Sequence, residues 1–229
     1  MLQIDLGKTR IRQYKGLLLD FGSVIMKSFF ETREAIERLL QLPQGTLAWA
    51  GPFDPASDAL WQQMLAGEIS ERDYWGRRAK DVGRLIGQQW QIQEFCVKHN
   101  ELPLNVTLRP EMLALIADVK RAGLKFGILT NELELFHGKA WLSTMPFADQ
   151  VDGIVDATHT KILKPDPRAY QLALEALDLA ADEVVFIDDQ PRNVAGGEAA
   201  GIRSLHLDIT NYRACIAEAR SLLRLRPTA

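Results

Sequence analysis

The strongest constraint on this chain is a series of short apolar runs, each close to a polar residue at its end. Gly16-Leu17-Leu18-Leu19-Asp20 is the first, Leu124 to Thr130 (LKFGILT) the second and Val151 to Val155 (VDGIV) the third. Glu183 to Asp188 (EVVFID) is the fourth, and Ile202 to Leu207 adds a fifth. Short stretches nearly continuous in Leu, Ile, Val and Phe suit strands buried on both faces, as in a parallel sheet. Helical patterns separate them. Pro110 to Ala122 carries Met112, Leu113, Leu115, Ile116 and Val119 at helical spacing, with Gly123 as its C′ residue. Pro167 to Leu177 and Val194 to Ala200 also read as helices. Strand and helix in alternation predict an α/β fold with a doubly wound parallel sheet.

The interval from about Met26 to Val106 breaks this rhythm, because it holds no convincing strand. Glu31 to Leu40 reads as a helix, Ser70-Glu71-Arg72-Asp73 resembles a capping box that opens another, and Gly87 to His99 suggests a third. The expected organisation is a core of residues 1–25 and 107–229 with an inserted helical cap at 26–106. Trp49, Trp61, Trp75 and Trp90 all fall in the insert. They are expected to form its own small core, the alternative being that one of them walls a substrate pocket.

Polar residues cluster where these strands end. Asp20 closes the first run, Thr130-Asn131 the second and Asp188-Asp189 the fourth, while Lys164 lies in the loop after the third. In an open α/β sheet, ligands bind outside the carboxyl ends of the strands, so these groups converge on one crevice. Three neighbouring carboxylates repel one another unless a cation joins them. Magnesium takes oxygen ligands, typically one or two carboxylates together with a substrate phosphate. Lys164 supplies a point charge for phosphate oxygens. Thr130 offers a hydroxyl, and the amides that follow it open a helix, a natural anion site. A carboxylate nucleophile, a metal, a lysine and a helix N-terminus are the parts phosphoryl transfer needs. Taken singly, each group has an ordinary structural role: turn residue, cap or solvated charge. Their occurrence at successive strand ends makes the catalytic reading the stronger one.

At these positions the chain resembles the haloacid dehalogenase-like hydrolases, subclass I. The matching stretches are LLLDFGSVI (Leu17 to Ile25), ILTN (Ile128 to Asn131), KPDPRAY (Lys164 to Tyr170) and VFIDDQPRNVAGGEAAG (Val185 to Gly201). The resemblance implies that Asp20 is the nucleophile and that Asp20, the Gly22 carbonyl and Asp189 bind Mg2+, with Asp188 doing so directly or through water. It also implies that Thr130 and the Asn131 amide bind phosphate, that Lys164 neutralises developing charge, and that Asn193 braces a loop. One departure stands out. Phosphatases of this family usually carry a second Asp two residues after the nucleophile, and here that position is Gly22. The form Asp-x-Gly-x-Val, with the phrase GEISERDYW (Gly67 to Trp75), is similar to a branch of sugar-1-phosphatase-like members and to the N-terminal phosphatase domain of soluble epoxide hydrolases. The missing Asp is the family's acid for the leaving group, so the sequence predicts a preference for activated phosphates. A substrate hydroxyl or a water held by the insert would stand in for it.

The expected activity is therefore a magnesium-dependent phosphomonoesterase acting on a small phosphorylated metabolite through an aspartyl-phosphate. Two alternatives accompany it. One is a phosphate-binding or regulatory protein that has lost turnover. The other is a 2-haloacid dehalogenase, disfavoured because such enzymes resemble this chain yet lack the adjacent acids of Asp188-Asp189. The net charge of −3 gives no electrostatic case for nucleic acid or a membrane surface as partner. Cys96 and Cys215 stand far apart and read as free thiols. Met1 to Lys15 is charged throughout, unlike a signal peptide, and a cytoplasmic location is the expectation. His99, His137, His159 and His206 lack ligand spacing and read as structural or surface residues. Gly196-Gly197 and Gly201 are expected to let a helix pack closely on the sheet. Arg192 reads as solvated, with contact to a substrate anion as the second role.

Overall fold

The computed structural model describes residues 13–131 and 133–226. Most of the segment read above as unlike a signal peptide lies outside them. Five strands form one sheet: β1 Gly16–Leu19, β2 Lys125–Thr130, β3 Gly153–Asp156, β4 Val184–Asp188 and β5 Arg203–His206. All pairings are parallel and the order is β3-β2-β1-β4-β5. Every expected strand is present, with ends shifted by a residue or two; β3 starts two residues later than expected and runs on to Asp156. Successive residues point to opposite faces of the sheet. Leu17, Leu19, Phe126, Ile128, Val185 and Ile187 join one apolar cluster. Leu18, Leu129, Val184 and Phe186 join another on the other face. Both faces being covered explains why these strands read as unbroken apolar runs.

Between β1 and β2 the chain is helical. It forms α1 Phe29–Leu39, α2 Ala59–Leu65, α3 Glu71–Leu85, α4 Ile92–His99 and the single turn α5 Leu104–Thr107, before α6 Pro110–Arg121 returns to the sheet. Capping boxes open α1, through Ser28 and Glu31, and α3, through Ser70 and Asp73. The expected helix from Gly87 is shorter at its start. Gly87 has φ +71° and closes α3, and Gln91 with Glu94 opens α4. The insert's aromatics pack on one another, as expected, and their cluster runs on into the core. Phe30, Trp49, Tyr74, Trp90 and Phe95 belong to the same cluster as Leu17 and Phe126, and Trp75 packs edge-on against Phe29 and Tyr74.

The remaining helices are α7 Leu133–His137, α8 Ala157–Thr160, α9 Pro167–Leu177, α10 Pro191–Ala199 and α11 Tyr212–Leu222. Helix α10 lies tight on the sheet, as the glycines suggest. A Cβ added at Gly197 would meet Ser204 Oγ at 2.3 Å, and one at Gly196 would meet the Tyr170 hydroxyl at 2.6 Å. Cys96 and Cys215 are buried free thiols. Among the described residues, no helix is long and apolar enough to cross a membrane.

The two crossings between core and insert lie side by side. Met26 bridges Leu108, Lys27 N–H donates to Thr107 O at 2.7 Å, and Arg109 N–H donates to Ile25 O at 2.9 Å. Arg109 is fully buried here. Its guanidinium donates to both carboxylate oxygens of Glu31 and to the carbonyls of Ser23 and Val24. Its face stacks on Tyr212 at 4.1 Å.

Candidate active site

The sheet order reverses direction at β1, which lies between β2 and β4, and a crevice opens at their carboxyl ends. Asp20 follows β1 directly, and its N–H donates to Ile187 O at 2.9 Å, so the side chain leaves at the rim. The next residues make a tight turn, Phe21–Ile25, closed by the Met26 N–H on Phe21 O. Gly22 has ordinary extended angles (φ −64°, ψ 138°), whereas Ser23 sits at φ +57°. Nothing lies within 4 Å of a Cβ added at Gly22. Glycine is therefore not forced there by backbone or space.

Lys164 reaches in from the loop after α8 and is almost wholly buried. Its ammonium lies 2.9 Å from Asp20 Oδ1 and 2.6 Å from Asp188 Oδ2. Burial alone would favour the neutral amine, but Asp188 and Asp20 outweigh it and hold the proton firmly. Asp188 is saturated with donors: Lys164, the Gln190 N–H at 2.8 Å and the Asn193 side-chain amide at 3.0 and 3.2 Å. Asn193 thus braces an acid as well as a loop. The Asn131 side chain clamps the Lys164 backbone, accepting its N–H at 2.8 Å and donating to its carbonyl at 3.3 Å. Thr130 is buried at the end of β2, next to Asn131. The amides of Glu134 and Leu135, at the start of α7, already donate to Asp156 and Thr158. These two amides are therefore engaged within the protein rather than turned to the crevice.

One carboxylate oxygen from each of Asp20, Asp188 and Asp189 falls within 4.8 Å of the others. Burial, only partly offset by Lys164 and reinforced by Asp188, lifts the Asp20 carboxyl to about 6. Burial and the charges of Asp188, Glu71 and Asp20 lift Asp189 well above the usual carboxylate range. Three carboxylates face one ammonium, and no side-chain or main-chain donor among the described residues reaches the Asp189 carboxylate. A hard divalent cation with oxygen ligands fits this donor set.

The crevice holds a cavity of about 200 Å³. Its deep end is Asp20, Thr130, Lys164 and Asp189, and its outer walls include Phe29, Trp75, Ile92 and Phe136. Trp75 therefore serves both the aromatic cluster and the cavity wall. Lys27, Glu71 and Arg192 line it too. Glu71, the first residue of α3, accepts from the Gln190 side chain at 3.2 Å and lies 3.9 Å from Arg192. Burial, against the pull of Arg192 and with Asp20 and Asp188 adding to it, lifts the Glu71 carboxyl to about 7. The sequence shows Glu71 only as a neighbour of the Ser70–Asp73 capping box, and it shows Arg192 as solvated. Their meeting across 121 positions of sequence (192 − 71) is a product of the fold. His99 is buried against Thr32, and His137 stacks on Trp141, both in structural roles.

The family model for haloacid dehalogenase-like hydrolase matches residues 14–201. The chain belongs to the haloacid dehalogenase-like hydrolases. Acyl-CoA dehydrogenase family member 10 of Mus musculus is 28% identical over 86% of the chain, which spans 18% of that protein's length. Sesquiterpene phosphatase astK of Aspergillus oryzae is 29% identical, with 92% of this chain and 97% of that protein covered. The putative HAD-hydrolase YfnB from Bacillus subtilis shares the fold at a TM-score of 0.68 and 17% identity, over 93% of this chain and all of that one.

Proposed function

We propose that this haloacid dehalogenase-like hydrolase is a magnesium-dependent phosphomonoesterase of small phosphorylated metabolites, with Asp20 as its covalent nucleophile. The observation that carries this is the Asp20–Lys164–Asp188 array at the mouth of β1 and β4, with Asp189 beside it and short of donors. Phosphatases among the relatives, including phosphoglycolate phosphatase of Rhodospirillum rubrum at 29% identity, support it. Asp20, Asp189 and the Gly22 carbonyl would hold Mg2+, while Asp188 would orient Lys164. The bound ion would supply charge neutralisation for the phosphoryl oxygens and for the carboxylates around it.

In this reading the Thr130 hydroxyl and the Asn131 amide hold the phosphate oxygens, and Lys164 balances their charge. Asp20 then attacks phosphorus as the bond to the leaving oxygen breaks. Water hydrolyses the aspartyl-phosphate in the second step. Residues 26–106 serve as a cap whose walls contact the rest of the substrate. The test is p-nitrophenyl phosphate hydrolysis by the wild type and Asp20→Asn, each with Mg2+ and with EDTA. Turnover should need Mg2+ and fall on the order of 10³-fold or more in Asp20→Asn, since an amide cannot form the phosphoenzyme. Full turnover in EDTA, or in Asp20→Asn, would overturn the reading.

A further inference from the structure

We infer that Glu71, carried by the insert, is the proton donor to the leaving group in place of the side chain that Gly22 lacks. The inference rests on the phosphomonoesterase reading of Asp20. The Phe21–Ile25 turn presents no acid to the cavity, and among the described residues nothing lies within 4 Å of a Cβ added at Gly22. From the opposite wall, α3 begins at Glu71, and its side chain lines the same cavity as Asp20, Gly22 and Asp189. Among the described residues, its side-chain hydrogen bond and ion pair are made to Gln190 and Arg192. Both partners follow Asp189 in the loop and first turn of α10, so they hold the carboxyl beside the segment that carries Asp189. The capping of α3 is done by Ser70 and Asp73, which leaves Glu71 free of that duty. Burial between insert and core favours the protonated carboxyl and acts whether or not the core carboxylates are neutralised.

The proton balance closes over the two steps. In the first, the Asp20 oxygen bonds to phosphorus, the bond from phosphorus to the leaving oxygen breaks with its electron pair, and that oxygen takes the Glu71 proton to depart as the alcohol. In the second, water attacks the phosphorus, the phosphorus bond to the Asp20 oxygen breaks, and Glu71 carboxylate takes one water proton. Inorganic phosphate leaves, and Asp20 and Glu71 return to their starting states. An acid on the insert also ties proton delivery to a closed crevice, because Glu71 reaches the site only with α3 in place.

The experiment measures kcat/KM for wild type, Glu71→Gln and Glu71→Gln with Gly22→Asp across alkyl to aryl phosphates. In the wild type, dependence on leaving-group pKa should be shallow. In Glu71→Gln, alkyl phosphates should lose about 10²–10⁴-fold, the usual scale of positioned proton transfer, and p-nitrophenyl phosphate less than about tenfold. Gly22→Asp should restore alkyl turnover, because the new side chain has room. If Glu71 only latched the insert to Gln190 and Arg192, Glu71→Gln would raise KM alike for every substrate. That uniform loss, or no loss, or a steep wild-type dependence, overturns the inference even where Asp20→Asn is dead. Absence of wild-type turnover on the whole series overturns the phosphomonoesterase reading, and this one with it.

Discussion

Lys164 places an ammonium between two carboxylates, one of them wholly buried, at 2.9 and 2.6 Å. Breaking a buried ion pair by deleting one partner typically costs about 3–5 kcal/mol, because the other charge stays behind unpaired. Lys164→Met should lose that order of stability to urea denaturation in EDTA, and Mg2+ should return part of it by binding the folded state. Equal stability of variant and wild type without metal would mean that Lys164 balances nothing. Asp20 and Asp188 were readable in advance because each ends an unbroken apolar run, and Lys164 because it lies in the loop that follows the third run. Glu71 and Arg109 were not. A glutamate in the first turn of a helix reads as a dipole partner, and an arginine between Leu108 and Pro110 reads as solvated. Their roles arise from contacts made 119 and 86 positions away. No local pattern encodes that kind of information.

At the scale of elements, the joint between core and insert is held by hydrogen bonds. Arg109 satisfies the Ser23 and Val24 carbonyls, beside the Gly22 carbonyl assigned to metal, and pairs with Glu31 in the capping box of α1. Arg109→Leu should cost about 3–5 kcal/mol, since Glu31, 14% exposed, loses its ion-pair partner and keeps only the neutral Ser28 donors. Adding Glu31→Leu should recover part of it, less about 1 kcal/mol for the lost cap. Thermal or urea unfolding of the two variants checks both figures, and a double variant no better than the single one would refute the pairing. The strands were legible because both faces are covered, which leaves unbroken apolar runs. The start of α4 was not, since Gly87 had to be seen at positive φ to separate it from α3.

At the scale of the molecule, acid and ligand act on different parts. His99 is 1% exposed, and burial, with the charge of His137, pushes it down to about 3. An unfolded histidine titrates near 6.5, so below that pH the unfolded chain binds a proton the folded one refuses. Stability is whole above pH 6.5 and falls as the pH drops towards 3, by about 1.4 kcal/mol per unit from this residue. His99→Gln should flatten the slope between pH 6 and 4 by that amount in urea titrations, and an unchanged slope would show that His99 protonates freely in the fold. For ligand, the side-by-side crossings and the shared cavity lead us to expect the insert to close over a bound phosphate analogue. Solution scattering with and without vanadate and Mg2+ should show a smaller radius of gyration when both are present, and identical curves would count against closure.

The strand order also dictates when the protein can become an enzyme during its own synthesis. β1 emerges first, yet it is the middle of the sheet, and its neighbours are residues 125–128 on one side and 184–187 on the other. A ribosome that has released 160 residues has supplied the nucleophile and Thr130, but neither Lys164 nor the acid that holds it. Until β4 arrives, one edge of the nucleophile's strand has no partner, and Lys164, made 24 residues before Asp188, lacks its second carboxylate. β4 therefore gives the nucleophile's strand its second neighbour and completes the charge balance in one step, before the edge strand β5 is made, so chains that stop short of β4 carry no working centre.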